Sequence, residues 1–171
     1  MKINNLDKII EDYLIRNENK LKINSNDILS GDVFITLQGR NVHGNKYIND
    51  ALDNGAKYVI TDKKADSFIN ENNILLVDDA LLFLFTIASK KRNSFKGKVI
   101  GITGSVGKTS VKENLKFFLA CESKVSASIK SYNNYLGVLI SLINMDNFSD
   151  FAIFELGTNN FHEIGKLASI I

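Results

Sequence analysis

Val99-Ile100-Gly101-Ile102-Thr103-Gly104-Ser105-Val106-Gly107-Lys108-Thr109-Ser110-Val111-Lys112-Glu113 is the stretch whose reading decides the rest of the chain. A short β-branched run leads into a Gly-rich turn, and Lys-Thr then opens residues that can start a helix, so the order is strand, phosphate loop, helix. Gly104 and Gly107 can take backbone angles closed to other residues and carry no Cβ to block a phosphate. Successive N–H groups can therefore turn inward around an anion. The helix beginning near Lys108 adds the positive end of its dipole. In that frame Lys108 is a point charge for the β- and γ-phosphates, and the Thr109 hydroxyl is a ligand for the Mg²⁺ that accompanies them.

The spacing is shorter than the common Gly-x-x-x-x-Gly-Lys-Thr pattern, which would need glycine where Ile102 stands. A bare Gly-x-x-Gly-Lys-Thr also occurs in solvated surface turns. What favours a nucleotide site here is the strand before it and the helix after it.

Outward from this loop, the pattern predicts a helix to about Ala120, a strand near Lys124–Ala127, a helix through Leu139–Ile143, a buried strand over Phe151–Gly157 and a helix from Phe161. Upstream, Leu6, Ile9, Ile10, Tyr13 and Leu14 fall at helical spacing. Strands are expected at Leu21–Asn24, Val33–Leu37, Lys57–Thr61 and Ile74–Val77. Gln38–Asn45 reads as a polar loop, and Tyr47–Asn54 as a helix stopped by Gly55. Asp78 and Asp79 stand where a helix N-cap belongs, and the apolar run Ala80–Ala88 predicts a helix buried on most sides. Its basic end, Lys90-Lys91-Arg92, answers the helix dipole in a solvated position or, alternatively, binds phosphate. Asn93–Gly97 is a candidate domain boundary. Strands alternating with helices give an α/β fold with ligands beyond the C-terminal ends of parallel strands.

Composition narrows the classes. The 171 residues are 44% hydrophobic with a formal net charge of +2, enough for one large or two small domains and without the basic stripe of a nucleic-acid binder. The single cysteine, Cys121, cannot form an internal disulfide and reads as a core residue at a helix end; a cytoplasmic location is expected. Met1–Asp7 lack the pattern of a signal peptide, and the apolar run from Ala80 to Ala88 falls short of the roughly 20 residues a bilayer needs. No membrane association is expected.

Glu155 ends the apolar strand that should lie parallel to the one feeding the phosphate loop. There it is either a Mg²⁺ ligand opposite Thr109 or an ordinary acid at a strand end. Asn133 and Asn134 are either a turn signal or polar groups reaching a substrate. Lys112 and Glu113 read as a solvated pair.

Taken in order, Thr103–Glu113, Asn133-Asn134-x-x-Gly137-Val138 and Glu155-Leu156-Gly157-x-Asn159 with Glu163-Ile164 resemble the Mur ligase family, most closely its D-alanyl-D-alanine-adding (MurF-type) branch. Gly31–Gly39, His43-Gly44 and Ala51-x-x-x-Gly55-Ala56 are similar to the UDP-sugar-binding domain of those enzymes. The resemblance implies a small mixed-sheet UDP-sugar-binding domain over residues 1–94 and a partial P-loop parallel-sheet domain over 95–171. It implies ATP and Mg²⁺, with UDP-N-acetylmuramoyl-tripeptide and D-alanyl-D-alanine as substrates of an amide ligation through an acyl phosphate.

Carried over residue by residue, Lys108, Glu155 and Asn134 are the catalytic candidates, with Asn133 or Asn134 near the transferred phosphoryl group. Thr103, Gly104, Ser105, Val106, Gly107, Lys108, Thr109 and Ser110 surround the nucleotide, and Thr109 and Glu155 hold the metal. The chain departs from the family pattern at Asn24-Ser25-Asn26, where Asp-Ser-Arg is usual, and at Asn45, where Gly-His is usual in the pair with Gly44. Both departures remove groups expected near the UDP-sugar. The family has three domains, so these residues correspond to a fragment or truncated relative that is expected not to ligate alone. The alternative is a non-catalytic, phosphate-binding paralogue. A small P-loop kinase would need a lid arginine cluster, and the only arginines are Arg16, Arg40 and Arg92.

Overall fold

The computed structural model describes residues 5–16, 20–39, 41–63, 72–129, 132–158 and 163–171. Among the residues singled out above, Met1 to Asn4, Arg40, Asn159 and Phe161 lie outside them. The chain divides into two compact units, Met1–Leu84 and Phe85–Ile171.

The first unit holds α1 (Leu6–Arg16), β1 (Leu21–Lys22), β2 (Val33–Ile35), α2 (Ile48–Asp53), β3 (Tyr58–Thr61) and β4 (Ile74–Leu76). The strands form one sheet in the order β1-β2-β3-β4. Every described pairing in it is parallel, so the antiparallel part of the expected mixed sheet is reduced to an isolated bridge, Gln38 with His43. Ile28, Phe34, Ile48, Ala51, Ala56 and Val59 form a core between sheet and α2. The amphipathic α1 buries Leu6, Ile10 and Leu14.

Several motif residues of this unit hold its turns and loops in place. Asp32 is buried and accepts the N–H groups of Lys20 at 2.8 Å and Leu29 at 3.1 Å, pinning the entry to β2. Gly31 beside it takes φ 91°, open to glycine, and donates to the carbonyl of Gly55, itself at φ 97°. His43 is buried with its Nδ1 accepting from the Asn45 N–H at 3.1 Å and its Nε2 donating to Asp62 at 2.8 Å. Asn24, in the altered tripeptide, caps a 3-10 turn by accepting from the Asn26 N–H.

α3 (Ala80–Ser94) is started by Asp79, whose carboxylate accepts the Leu82 N–H at 2.9 Å. It is not buried on most sides as expected: Ala80, Leu84, Ile87 and Ala88 are buried, but Leu82 is 62% exposed and Leu81 and Phe85 are also exposed. An all-apolar run carries no periodicity from which the buried face could be chosen. Nor is its basic end wholly solvated, since Lys91 is buried. No helix of the described residues is long and apolar enough to cross a membrane.

The second unit continues with β5 (Lys98–Ile102), α4 (Lys108–Leu119), β6 (Val125–Ala127), α5 (Tyr135–Asn144), β7 (Phe151–Glu155) and α6 (Glu163–Ala168). Its sheet is parallel in the order β5-β7-β6, so the last strand enters between the first two. β7 is correspondingly the buried one, with Ala152, Ile153, Phe154 and Glu155 inside, as is Leu156 just after it. Cys121 follows the end of α4 and is exposed, not in the core, because the helix turns Phe117 and Phe118, each 70% exposed, outward at that end.

α5 packs its start tightly. A Cβ on Gly137 would come within 2.5 Å of the Tyr132 Cα. Gly137→Ala is expected to lower the unfolding free energy by roughly 1–3 kcal/mol through overpacking. Gly165→Ala, in α6 with nothing within 4 Å, is expected to raise it by roughly 0.5–1 kcal/mol. Urea denaturation of both variants checks the contrast; equal effects would contradict it.

Candidate functional site

The parallel register of β5 and β7 sets Ile102 opposite Glu155, so the glycine loop and the acid leave the sheet side by side at its C-terminal end. Leu156 continues the ladder by donating to the Ile102 carbonyl at 2.8 Å. From Ile102 the chain passes through Gly104 at φ 150° and Gly107 at φ 80°, angles at which a side chain would be strained. Gly107 is the N-cap residue of α4, and no side chain caps it. The first-turn N–H groups of α4 therefore face a loop whose exposed residues, Thr103 to Gly107, leave room for an anion.

Lys108 lies on the rim. Its ammonium folds back onto the Gly104 carbonyl at 2.7 Å in an exposed position. Ser110 and Val106 are exposed, Val106 at 88%. Thr109 turns inward, and its hydroxyl donates to Glu155 Oε2 at 2.8 Å across 46 residues of sequence. Glu155 is 5% exposed, and its other oxygen accepts from Asn133 Nδ2 at 3.3 Å. The Asn133 carbonyl in turn accepts the Gly157 N–H at 2.8 Å. Gly157 is needed there, because a Cβ would meet the Asn133 amide at 2.8 Å.

The adjacent asparagine is used differently. Asn134 is the N-cap of α5, accepting from the Gly137 N–H at 2.8 Å. Of the two asparagines, it is Asn133 that touches Glu155. Two further contributors carry no clear signal in the sequence. Ser128, just past β6, accepts the Glu155 N–H on its hydroxyl at 3.1 Å. Lys112 is fully buried rather than solvated, with its ammonium donating to the Ser128 carbonyl at 2.7 Å and 3.2 Å from Glu113. Its long stem lets the charge reach past the helix surface, and its place one turn after Thr109 is the one hint of this in the sequence.

This arrangement suits a hard cation beside phosphates. A hydroxyl that gives its proton to a carboxylate keeps its oxygen lone pairs for a metal, and a second oxygen donor stands next to it. Among the described residues no three His, Cys, Asp or Glu side chains cluster as a self-sufficient metal cage.

Residues 19–91 match the Mur ligase family, catalytic domain, and residues 102–171 match the Mur ligase middle domain. The chain belongs to the Mur ligase family. It is 47% identical over 91% of its length to the UDP-N-acetylmuramoyl-tripeptide–D-alanyl-D-alanine ligase of Rickettsia prowazekii, and 34% identical over 89% to that of Synechocystis. It spans about a third of these relatives, 34% of each. Among solved structures it is similar to the MurF ligase of Thermotoga maritima in complex with ADP, at 30% identity and a TM-score of 0.74, over 92% of this chain and 36% of that one.

In this Mur ligase chain the capping role of Asn134 has a measurable consequence. Asn134→Ala is expected to cost about 1 kcal/mol of stability in chemical denaturation, as the loss of an N-cap does. Unchanged stability would contradict that role.

Proposed function

We propose that this chain supplies the nucleotide-anchoring part of an ATP-dependent ligase that adds D-alanyl-D-alanine to UDP-N-acetylmuramoyl-tripeptide in cytoplasmic peptidoglycan synthesis. The observation that carries the proposal is the Thr109–Glu155 hydrogen bond at the mouth of the glycine loop. It joins the residue after the loop lysine to a buried acid on the neighbouring strand. The names of the relatives support the substrates, and the ADP complex of the Thermotoga protein supports the nucleotide.

The chemistry asks for charge control. A peptide carboxylate attacks the γ-phosphate of ATP, ADP leaves, and the amine of D-alanyl-D-alanine then displaces phosphate from the acyl phosphate. Both partners of the first step are anions, so their approach is favourable only where positive charge and oriented dipoles meet them. In this proposal the N–H groups of residues 104–110 hold the phosphates, and the Lys108 ammonium leaves the Gly104 carbonyl for them. Thr109 and Glu155 would hold Mg²⁺, which when bound neutralises the phosphate oxygens. Asn133 keeps the Glu155 carboxylate turned toward Thr109. The first unit would take the UDP-sugar. The 171 residues alone are expected to bind rather than ligate.

Titration calorimetry with Mg²⁺-ATP and, separately, UDP-N-acetylmuramoyl-tripeptide tests this. Both should bind saturably, and Lys108→Ala should lose only the ATP signal. Loss of the UDP-sugar signal in a folded protein would favour a phosphate-binding paralogue, for which the altered Asn24-Ser25-Asn26 is the supporting feature. An unchanged ATP signal in Lys108→Ala would overturn the nucleotide assignment.

A further inference from the structure

Lys112 and Thr109 lie three residues apart on α4, a spacing that sets their side chains on the same side of the helix. Thr109 meets Glu155, whereas Lys112, with no exposed surface, sends its ammonium to the carbonyl of Ser128 at 2.7 Å. Its charged partner Glu113 stands half in solvent, at 47% exposure, so the buried partner of the ammonium is the carbonyl. A buried ammonium costs stability unless it is paired and hydrogen-bonded, and an apolar side chain would fill such a space without that cost. Packing alone therefore does not call for lysine here.

What the ammonium holds is the junction behind the site. Ser128 is gripped three ways: its N–H donates to Ile153 on β7, its hydroxyl accepts the Glu155 N–H, and its carbonyl accepts from Lys112. Asn133 separately accepts from Gly157 and donates to the Glu155 carboxylate. The backbone N–H of Glu155 thus rests on Ser128, which Lys112 ties to α4, the helix that also carries Thr109.

We infer that Lys112 is a positioning residue of the nucleotide site: it locks the end of β6 to the first turns of α4 and, through Ser128, holds Glu155 opposite Thr109. The inference rests on the proposed reading of Thr109 and Glu155 as the Mg²⁺ ligands. It assigns Lys112 no contact with nucleotide, so its removal should weaken the metal dependence of binding and leave the phosphate contacts themselves in place.

The test is ADP binding to the whole chain, measured across a Mg²⁺ titration and without Mg²⁺, for wild type, Lys112→Met and Ser128→Ala, with a thermal melt of each. Lys112→Met should raise the half-saturating Mg²⁺ by roughly tenfold, as loss of an outer-shell partner does, while Mg²⁺-free ADP affinity stays near wild type. Ser128→Ala, which removes only the hydroxyl that accepts the Glu155 N–H, should shift it in the same direction. A folded Lys112→Met with wild-type Mg²⁺ dependence, or a loss of ADP affinity equal with and without Mg²⁺, overturns the inference. Should Lys112→Met not fold, a wild-type Mg²⁺ dependence in Ser128→Ala overturns it. Wild type that binds no ADP sinks the nucleotide reading and this inference with it, whereas the preceding outcomes leave that reading standing.

Discussion

A carboxylate at the end of a central strand has no open edge through which to reach water, and Glu155 is accordingly buried where β7 leaves the sheet between β5 and β6. Such a group must be answered by hydrogen bonds from its neighbours. Thr109 answers one oxygen from the helix after the glycine loop, and Asn133 answers the other from the connection after β6. The hydrogen bond to Thr109 thereby fixes the loop, the start of α4 and the end of β7 as one unit, and the parallel register that sets Ile102 beside Glu155 makes it possible.

Two of the three lysines of α4, Lys108 and Lys112, differ in burial. Lys108 is on the rim with a single exposed bond to the Gly104 carbonyl, an attachment it can exchange for an anion at little cost because water competes for both partners. Lys112, a turn further on, is committed to Ser128 in the interior. Residues of the same type four positions apart are thus an exposed charge at the loop and a buried structural tie, and what separates them is where the helix axis carries each side chain.

Much of this is legible in the amino-acid sequence. The glycine loop, the strand before it and the helix after it follow from local backbone chemistry, and the acid at the end of β7 follows from the rule that ligands collect at the C-terminal ends of parallel strands. Three things are not legible there. Lys112 reads as solvated because a lysine beside a glutamate ordinarily is, and only the tertiary position of Ser128 explains its burial. Asn133 and Asn134 cannot be told apart, since the cap of α5 depends on where that helix begins, to the residue. Cys121 and the buried face of α3 depart from expectation because an apolar run without periodicity does not say which side meets the core. In the first unit Gly31, Asp32 and His43 carry family resemblance, and each also holds a turn or a loop, which their spacing does not announce.

Hydrogen exchange read by mass spectrometry, with and without Mg²⁺-ADP, tests most directly whether the loop, Thr109 and Glu155 form one nucleotide site. Protection should appear together over residues 103–110 and at the end of β7, around Glu155 to Gly157, with the β1–β4 sheet unchanged. Protection of the loop without any change at Glu155, or no protection at either place, would contradict the account.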